Sequence, residues 1–136
     1  MGTLAAIGIQ NADGTVTGVS CHYDGYLDHV GKILFENYNT EEKVRELLSH
    51  GNMSSLGCVV GEKHDFDDNN YDVTRYYGRD RGEEGQEPRT FTNSYEFVNE
   101  ICASYSYLFD IGQWFVVDGL EEMMSLKEAL EFNEDD

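Results

Sequence analysis

The residue types best suited to chemistry are concentrated in residues 21–34. Two histidines and two aspartates lie there and a third histidine follows later, namely His22, Asp24, Asp28, His29 and His64. Histidine and aspartate act as acid–base pairs when the fold holds them within hydrogen-bonding reach. The chain has no nucleophile elbow, P-loop, HExxH motif or dinucleotide fingerprint that would organise them. A small hydrolase is therefore a secondary hypothesis, and the sequence assigns no catalytic residue.

The same stretch also fits an ordinary strand-to-helix connection, in which Asp24 and Gly25 reverse the chain. The strand through Val19 must enter the core while the turn stays near solvent, so we expect the polar side chains here to be partly exposed. We also expect them to lie beside residues 79–81. The predicted partner-binding patch is His22, Tyr23, Asp24 and Tyr26. Burial of its side chains as satisfied core groups would instead make the patch structural.

Arginines form a second group of candidate binding residues. Four of the nine basic residues fall in residues 75–89, as Arg75, Arg79, Arg81 and Arg89. Guanidinium groups bind carboxylates or phosphates, and the neighbouring tyrosine rings can stack on a base or on a guanidinium. Two hypotheses follow: ion pairs with the acidic residues 62–72, or a nucleotide-sized anion site. The candidate anion-binding residues are Arg75, Tyr77, Arg79 and Arg81.

Two segments resemble parts of metal sites. The acidic loop 65–70 begins like a calcium loop, but Asn70 replaces the glycine of the sharp turn and Tyr76 replaces the closing glutamate. Cys21 and His22 could join a remote ligand around zinc, yet the paired spacing of zinc ligands is absent. The three cysteines are far apart and are expected to be reduced thiols. We therefore predict no metal and no cofactor.

Net charge is the strongest global feature of the chain. The chain has nine Lys and Arg residues and 27 Asp and Glu residues, which gives a formal net charge of −18 at pH 7. So negative a field repels nucleic acid and anionic membranes, and it attracts proteins with basic surfaces. Solubility alone is the simpler explanation of this charge. The acidic C-terminal residues expected to contribute to partner binding are Glu121, Glu122, Glu128 and Glu131.

Localisation is predicted from what the chain lacks. It has no apolar run of about eighteen residues that could span a bilayer, and its N-terminus lacks a basic segment followed by an apolar one. We expect a cytoplasmic protein.

The first half of the chain contains a clear hairpin and two helices. Residues 3–9 and 15–23 alternate like strands around turn-forming residues 11–14. Apolar spacing predicts helices over 26–38 and 40–50. A loop at 52–57 and a short strand at 58–60 follow.

The second half begins with the irregular segment 61–88. Within it residues 73–77 favour a strand, and residues 89–92 are expected to return antiparallel to that strand. A helix over 93–102, a hairpin of 105–109 with 113–117, and a helix over 125–132 complete the fold. The order predicts a single α+β domain over residues 1–132, followed by an acidic end at 133–136. Its antiparallel sheet would have four to six strands with helices packed over it.

A set of short runs is distributed along most of the chain: 21–26 (CHYDGY), 30–34 (VGKIL), Tyr38, 54–57 (SSLG), 61–64 (GEKH) and 77–83 (YGRDRGE). Together these runs resemble a family of small accessory proteins encoded by bacteriophages and prophages. The resemblance extends from the first hairpin to the strand at Trp114 and implies a protein that acts on host machinery. It brings no activity and no site residues, and this C-terminus is more acidic than the family suggests.

Charge and resemblance together predict a non-enzymatic, acidic inhibitor. It would bind a host defence or nucleic-acid-binding protein through that protein's basic surface, as a nucleic-acid mimic. The first alternative is a protein that sequesters a nucleotide used in defence, and the second is the small hydrolase. Neither direct nucleic-acid binding nor membrane binding is expected, and a homodimer is left open.

Overall fold

The structure is a computed structural model that describes residues 3–67, 72–119 and 122–134. Within these residues eight strands form one mixed sheet. The strands are β1 (Ala5–Gln10), β2 (Val16–Cys21), β3 (Met53–Ser55), β4 (Arg75–Tyr76), β5 (Arg89–Phe91), β6 (Tyr105–Asp110), β7 (Gln113–Asp118) and β8 (Met124–Ser125). The α-helices are α1 (Lys32–Asn37), α2 (Glu41–Ser49), α3 (Tyr77–Arg81), α4 (Ser94–Ile101) and α5 (Leu126–Glu134).

Both predicted hairpins are confirmed. β1 pairs antiparallel with β2, and β6 pairs antiparallel with β7. The two hairpins join through β1 and β6, which run parallel. Seven strands follow the order β4-β3-β2-β1-β6-β7-β8, and the eighth, β5, pairs with β2 outside this order. The expectation of an antiparallel sheet with four to six strands was therefore imprecise. Hairpins form between neighbours in sequence, whereas the β1–β6 pairing joins distant segments that no local pattern specifies.

The strands that pair with the outer edge of β2 show that one predicted pairing, of residues 89–92 with residues 73–77, is wrong. The first half of β2, Val16–Gly18, pairs with β5, and its last residue, Cys21, pairs with β3. Residues 89–92 therefore do not return along the strand at 73–77. That segment is shorter than expected, because β4 ends at Tyr76 and the chain turns directly into α3.

Two helices, α2 and α4, begin at side-chain caps. Thr40 accepts a hydrogen bond from the amide of Lys43 at the start of α2, and Asn93 does the same for Glu96 at the start of α4. The helix predicted from residue 26 starts with a π-helical turn, Leu27–Gly31, which continues into α1. Residues 52–57, expected to be a loop, include β3, and the strand expected at 58–60 is reduced to one bridge between Val59 and Val73.

Two hydrophobic clusters lie on opposite faces of the sheet. On one face the π-helical turn, α1, α2 and α5 cover the strands, and the buried residues include Ile7, Tyr107 and Trp114. On the other face α4 packs Phe97 against a smaller cluster. Alternation of side chains along each strand separates the two clusters, as the pleat requires. The sheet is thus a shared scaffold, and its ends carry the polar segments described next.

Candidate functional site

His22 and Tyr77 meet at one end of the sheet through a hydrogen bond of 2.8 Å between Nδ1 and the phenol oxygen. The short strand β3 brings them together. The amide of His22 donates to Met53, and the amide of Tyr77 donates to Asn52, each to the main-chain oxygen. The ring of Tyr23 stacks on His22 with 4.5 Å between centroids. This contact joins the predicted patch to α3, although 55 residues separate His22 from Tyr77.

Aromatic stacking continues on the far side of Tyr77. Its ring stacks on Phe66 with centroids 5.6 Å apart, and the guanidinium of Arg81 lies 4.6 Å from the Phe66 centroid. Arg81 also donates to Glu83 from Nε at 2.6 Å. Partial burial raises the pKa of the Tyr77 phenol. These side chains and His22 form a half-exposed aromatic surface that ends in a paired cation.

Asp80 lies beneath this surface with a fully buried side chain. Its carboxylate accepts hydrogen bonds from the amides of Tyr76 (2.8 Å) and His64 (3.1 Å) and from Nε of Arg79 (2.9 Å). Burial raises the pKa of the Asp80 carboxyl, but these hydrogen bonds and the charge of Arg79 outweigh it and hold the pKa below its usual value. Asp80 is therefore an ionised structural hub.

The remaining donors of Arg79 are also occupied. Its terminal nitrogens donate to the main-chain oxygens of Val60, Gly61 and Thr74 at 2.9–3.0 Å. The guanidinium also lies over the ring of Tyr76. Arg79 is therefore paired internally, but its carboxylate partner is Asp80 and not one of the acidic residues 62–72 that the sequence suggested.

The other candidate arginines have internal contacts of their own. Arg75 donates to the main-chain oxygen of Phe66 at 3.0 Å. Arg89 belongs to β5, lies over Phe91 and faces Glu100 of α4 at 3.9 Å. The structure therefore gathers Arg75, Tyr77, Arg79 and Arg81 on β4 and α3 but places Arg89 elsewhere. Whether the gathered residues bind an anion stays a prediction.

The predicted patch residues His22, Tyr23, Asp24 and Tyr26 are all exposed. Asp24 adopts a left-handed conformation with φ of 58°, and its carbonyl accepts from the amide of Val30. Gly25 is buried, and its carbonyl accepts from the Tyr107 hydroxyl at 2.8 Å. The turn is thus fastened to the core through its backbone, which leaves its side chains outside.

The helix α5, which carries Glu128 and Glu131, lies on the same face of the sheet as this turn. The π-helical turn after Tyr26 packs against α5, whose Leu126 is buried. Glu122, Glu128 and Glu131 are exposed, whereas Glu121 lies outside the described residues. The two parts of the predicted partner-binding surface are therefore connected through the π-helical turn. Their binding of a partner stays a prediction.

The metal hypotheses gain no support from the geometry. Cys21 lies in the core, where burial raises the pKa of its thiol to about 12, while His22 is exposed and hydrogen-bonded to Tyr77. Of the calcium-like loop only residues 65–67 are described, and Asp68, Asn69 and Asn70 lie outside. In the described part of the chain no three His, Cys, Asp or Glu side chains are arranged to hold a metal ion. All three cysteines are free thiols.

The histidines and aspartates of the hydrolase hypothesis have separate environments. His22 contacts Tyr77, whereas His64 approaches Asp80, at 3.4 Å, and the main-chain oxygen of Thr74, at 3.2 Å. His29 packs near the ring of Tyr26. The His64–Asp80 pair is the nearest to an acid–base couple, but its carboxylate is occupied by structural donors.

Sequence reasoning missed Phe66 and α3. Phe66 lies in the acidic loop 65–70, which the sequence analysis considered only as a metal site, yet its ring contacts both Tyr77 and Arg81. The helix of α3 has only five residues, which is too short for an apolar period to appear. Gly82 at φ of 75° is a helix C-terminal signal that could have located its end.

No protein-family model, curated protein or solved structure matches the chain. Among the residues that the structure describes, none of the helices has both the length and the apolar character needed to cross a membrane.

Proposed function

We propose that this protein is a non-enzymatic, acidic inhibitor that binds a basic protein surface of the kind that normally holds nucleic acid. The observation that carries the proposal is how the chain distributes its charge. All five arginines have internal partners, and four of these partners are carboxylates: Glu41 with Arg45, Asp80 with Arg79, Glu83 with Arg81, and Glu100 with Arg89. The fifth, Arg75, donates to a main-chain oxygen.

The consequence is a surface on which carboxylates dominate. The basic side chains that remain are four exposed lysines, and 23 of the 27 acidic residues remain once the four paired carboxylates are set aside. Exposed acids project from α2, from α5 and from the segment before α5. Such a surface steers a basic partner and repels nucleic acid itself. The exposed aromatic side chains of Tyr23 and Tyr26 would supply the apolar contact that charge alone lacks.

The absence of a convergent acid–base group among the described residues favours a binding protein over the hydrolase. His22 and His64 serve different hydrogen-bond networks, and the carboxylate of Asp80 is buried. Nucleotide sequestration is also less favoured, because Arg79 has carboxylate and main-chain partners for its donors. An anion would have to displace those partners.

The resemblance to bacteriophage and prophage accessory proteins suggests the biological setting. In that setting the partner is a host protein, and a defence enzyme that holds DNA or RNA fits the charge. Localisation in the host cytoplasm belongs to the same proposal.

The test is capture from a bacterial lysate on the immobilised chain, followed by competition. A genuine partner should elute from the immobilised chain as the salt concentration rises from about 0.1 M to about 1 M, because the Debye length falls from roughly 10 Å to 3 Å. Duplex DNA should displace the same partner, because we propose that DNA and this protein bind the same basic surface of that partner. If the captured partner stays bound both at high salt and in the presence of DNA, the proposal is contradicted.

Matched variants locate the surface. Glu128→Gln with Glu131→Gln removes two exposed charges from α5, and Glu42→Gln with Glu46→Gln removes two from α2. Both helices cover the same face of the sheet, at different ends. We expect the α5 pair to weaken capture more than the α2 pair. Equal losses would mean that only net charge matters.

A further inference from the structure

Three arginines of this chain are held in the same way, by the face of an aromatic ring together with a carboxylate. The guanidinium carbon lies 4.6–4.9 Å from the ring centroid in every case. The ring face attracts the cation, and the carboxylate accepts hydrogen bonds from the planar fork of the guanidinium. The three sets are Arg79 with Tyr76 and Asp80, Arg81 with Phe66, Tyr77 and Glu83, and Arg89 with Phe91 and Glu100.

Tyr23 and Asp24 present the same two groups at the surface, as consecutive residues of the turn after β2. Tyr23 is 43% exposed, and Asp24 is exposed as well. His22 covers one face of the Tyr23 ring, with 21° between the ring planes, so the opposite, outer face is the one available for a contact. The five arginines of this chain all have partners elsewhere, so an arginine on this face would have to come from another molecule.

The backbone of this turn is already fixed by hydrogen bonds. The amides of His22 and Tyr23 donate to main-chain oxygens of β3, each at 3.0 Å, and the carbonyl of Asp24 accepts from the amide of Val30 at 3.3 Å. The His22 ring that supports Tyr23 is itself held by the hydroxyl of Tyr77. A partner that contacts this turn therefore does not have to order it, which removes one entropic cost of binding.

Charge decides which kind of molecule fits these two residues. The net charge of −18 attracts cations, and Arg81, the cation at the other end of the aromatic surface, is paired with Glu83. Proteins that hold DNA or RNA present arginine, whose planar fork matches phosphate. A second copy of this chain is a poor occupant, because its own arginines are already engaged and its charge opposes the approach.

We propose that Tyr23 and Asp24 form a recognition site for an arginine side chain of the basic partner. The guanidinium stacks on the outer face of Tyr23 while its N–H groups donate to the carboxylate of Asp24. Lysine fits less well, because its ammonium group is a compact and strongly hydrated point charge that cannot stack flat on a ring. This inference rests on the proposed function and names the residue type that the partner contributes.

The experiment uses two short synthetic peptides of equal length and charge, one of arginine–serine repeats and one of lysine–serine repeats. Fluorescence anisotropy measures the affinity of both for the wild-type chain, for Tyr23→Leu and for Asp24→Asn. Leucine keeps an apolar side chain but has no aromatic face. Asparagine removes the charge of Asp24 and tolerates the left-handed backbone at this position.

Two control variants remove the same groups elsewhere. Tyr95→Leu removes an exposed ring, 76% exposed, from α4 on the opposite face of the sheet. The carboxylate next to that ring, Glu96, accepts from the amide of Thr92 instead of facing a partner. Glu42→Gln removes one exposed charge from α2.

The wild-type chain should bind the arginine peptide more tightly than the lysine peptide. Tyr23→Leu should weaken binding of the arginine peptide roughly three- to tenfold and that of the lysine peptide less, so that the ratio of the two affinities falls towards one. Asp24→Asn should weaken the arginine peptide by about two- to threefold, an effect that high salt reduces. Tyr95→Leu should behave like the wild-type chain, and Glu42→Gln should lose less than Asp24→Asn.

Amide chemical shifts give a second measurement that needs no variant. In an NMR titration of the wild-type chain, the arginine peptide should shift the amides of residues 22–24 more than the lysine peptide does. This measurement decides the matter if Tyr23→Leu lowers the melting temperature. Unshifted amides at residues 22–24 would then overturn the inference.

The outcomes that overturn the inference are distinguishable from failure of the proposed function. If the wild-type chain binds both peptides equally, or Tyr23→Leu weakens both equally, the turn does not recognise arginine, although the proposed function survives. If Tyr95→Leu loses as much as Tyr23→Leu, exposed rings act anywhere on the surface and the site is wrong. If neither peptide binds the wild-type chain, the proposed function fails as well.

Discussion

Arg79 and Asp80 are consecutive residues whose side chains form a two-point ion pair. Nε of Arg79 lies 2.9 Å from Oδ1 of Asp80, and Nη2 lies 3.2 Å from Oδ2. The same carboxylate accepts from the amides of His64 and Tyr76. One buried charge therefore joins α3, β4 and the loop 61–67, which carries Phe66. The aromatic surface above depends on this pair for its position.

Replacing Asp80 with asparagine should strongly destabilise the fold. Asparagine would leave Arg79 as a largely buried cation without its carboxylate, which costs about 3 kcal/mol or more. Urea unfolding at neutral pH measures the change. Glu41→Gln is the control, since it breaks the exposed pair with Arg45 and should cost under about 1 kcal/mol. Similar losses in both variants would contradict the role of Asp80 as a hub.

The contribution of Asp80 should also depend on pH. Its pKa is lower in the folded chain than in the unfolded chain, so its stabilisation is fully present above the unfolded value of about 4. That stabilisation is lost as the pH falls through the folded pKa. The stability difference between wild type and Asp80→Asn should therefore be constant near pH 7 and shrink below about pH 4. A difference that stays constant into strong acid would disagree with this assignment.

Thiol labelling should separate the three cysteines. Cys102 is exposed, Cys58 is half-buried, and Cys21 is fully buried with a pKa raised to about 12 by that burial. The thiolate is the reactive species, so Cys21 should resist modification at pH 8 until the chain unfolds. Mass spectrometry after limited labelling should find Cys102 modified first. Early labelling of Cys21 would show that β2 opens readily.

The smaller hydrophobic cluster predicts an effect at Gly18. A Cβ atom at this position would lie 2.5 Å from a ring carbon of Phe97, so Gly18→Ala should cost about 1–3 kcal/mol by overpacking. Thermal unfolding of Gly18→Ala, Phe97→Leu and the double variant tests this. The double variant should be more stable than the sum of the two single losses implies. Simple additivity would mean that the ring moves aside.

The patch at Asp24 and Tyr26 needs a carefully chosen variant. Asp24 has φ of 58°, a conformation that Asn tolerates and Ala does not, so Asp24→Asn removes the charge without new strain. Combined with Tyr26→Ala, it should reduce capture of the partner and leave the melting temperature unchanged. A loss of roughly 2 kcal/mol in stability would instead identify the turn as scaffold.

Local patterns were sufficient for most of the secondary structure. The turn at residues 11–14 and the alternation around it predicted the first hairpin, and apolar spacing predicted helices over 40–50 and 93–102, which contain α2 and α4. These features depend on interactions between residues close in sequence. The short elements β3, β8 and α3 were missed because two to five residues are too few to show a period.

The sequence by itself determined the negative charge, both hairpins, the longer helices and the concentration of polar residues after β2. Only the tertiary structure decided that β1 runs beside β6, that β5 lies on β2, and that His22 meets Tyr77. It also decided that Arg79 is paired internally with Asp80. The physical reason is that such contacts join segments whose approach depends on the whole core and on which polar groups remain to be satisfied. No periodicity within one segment contains that information.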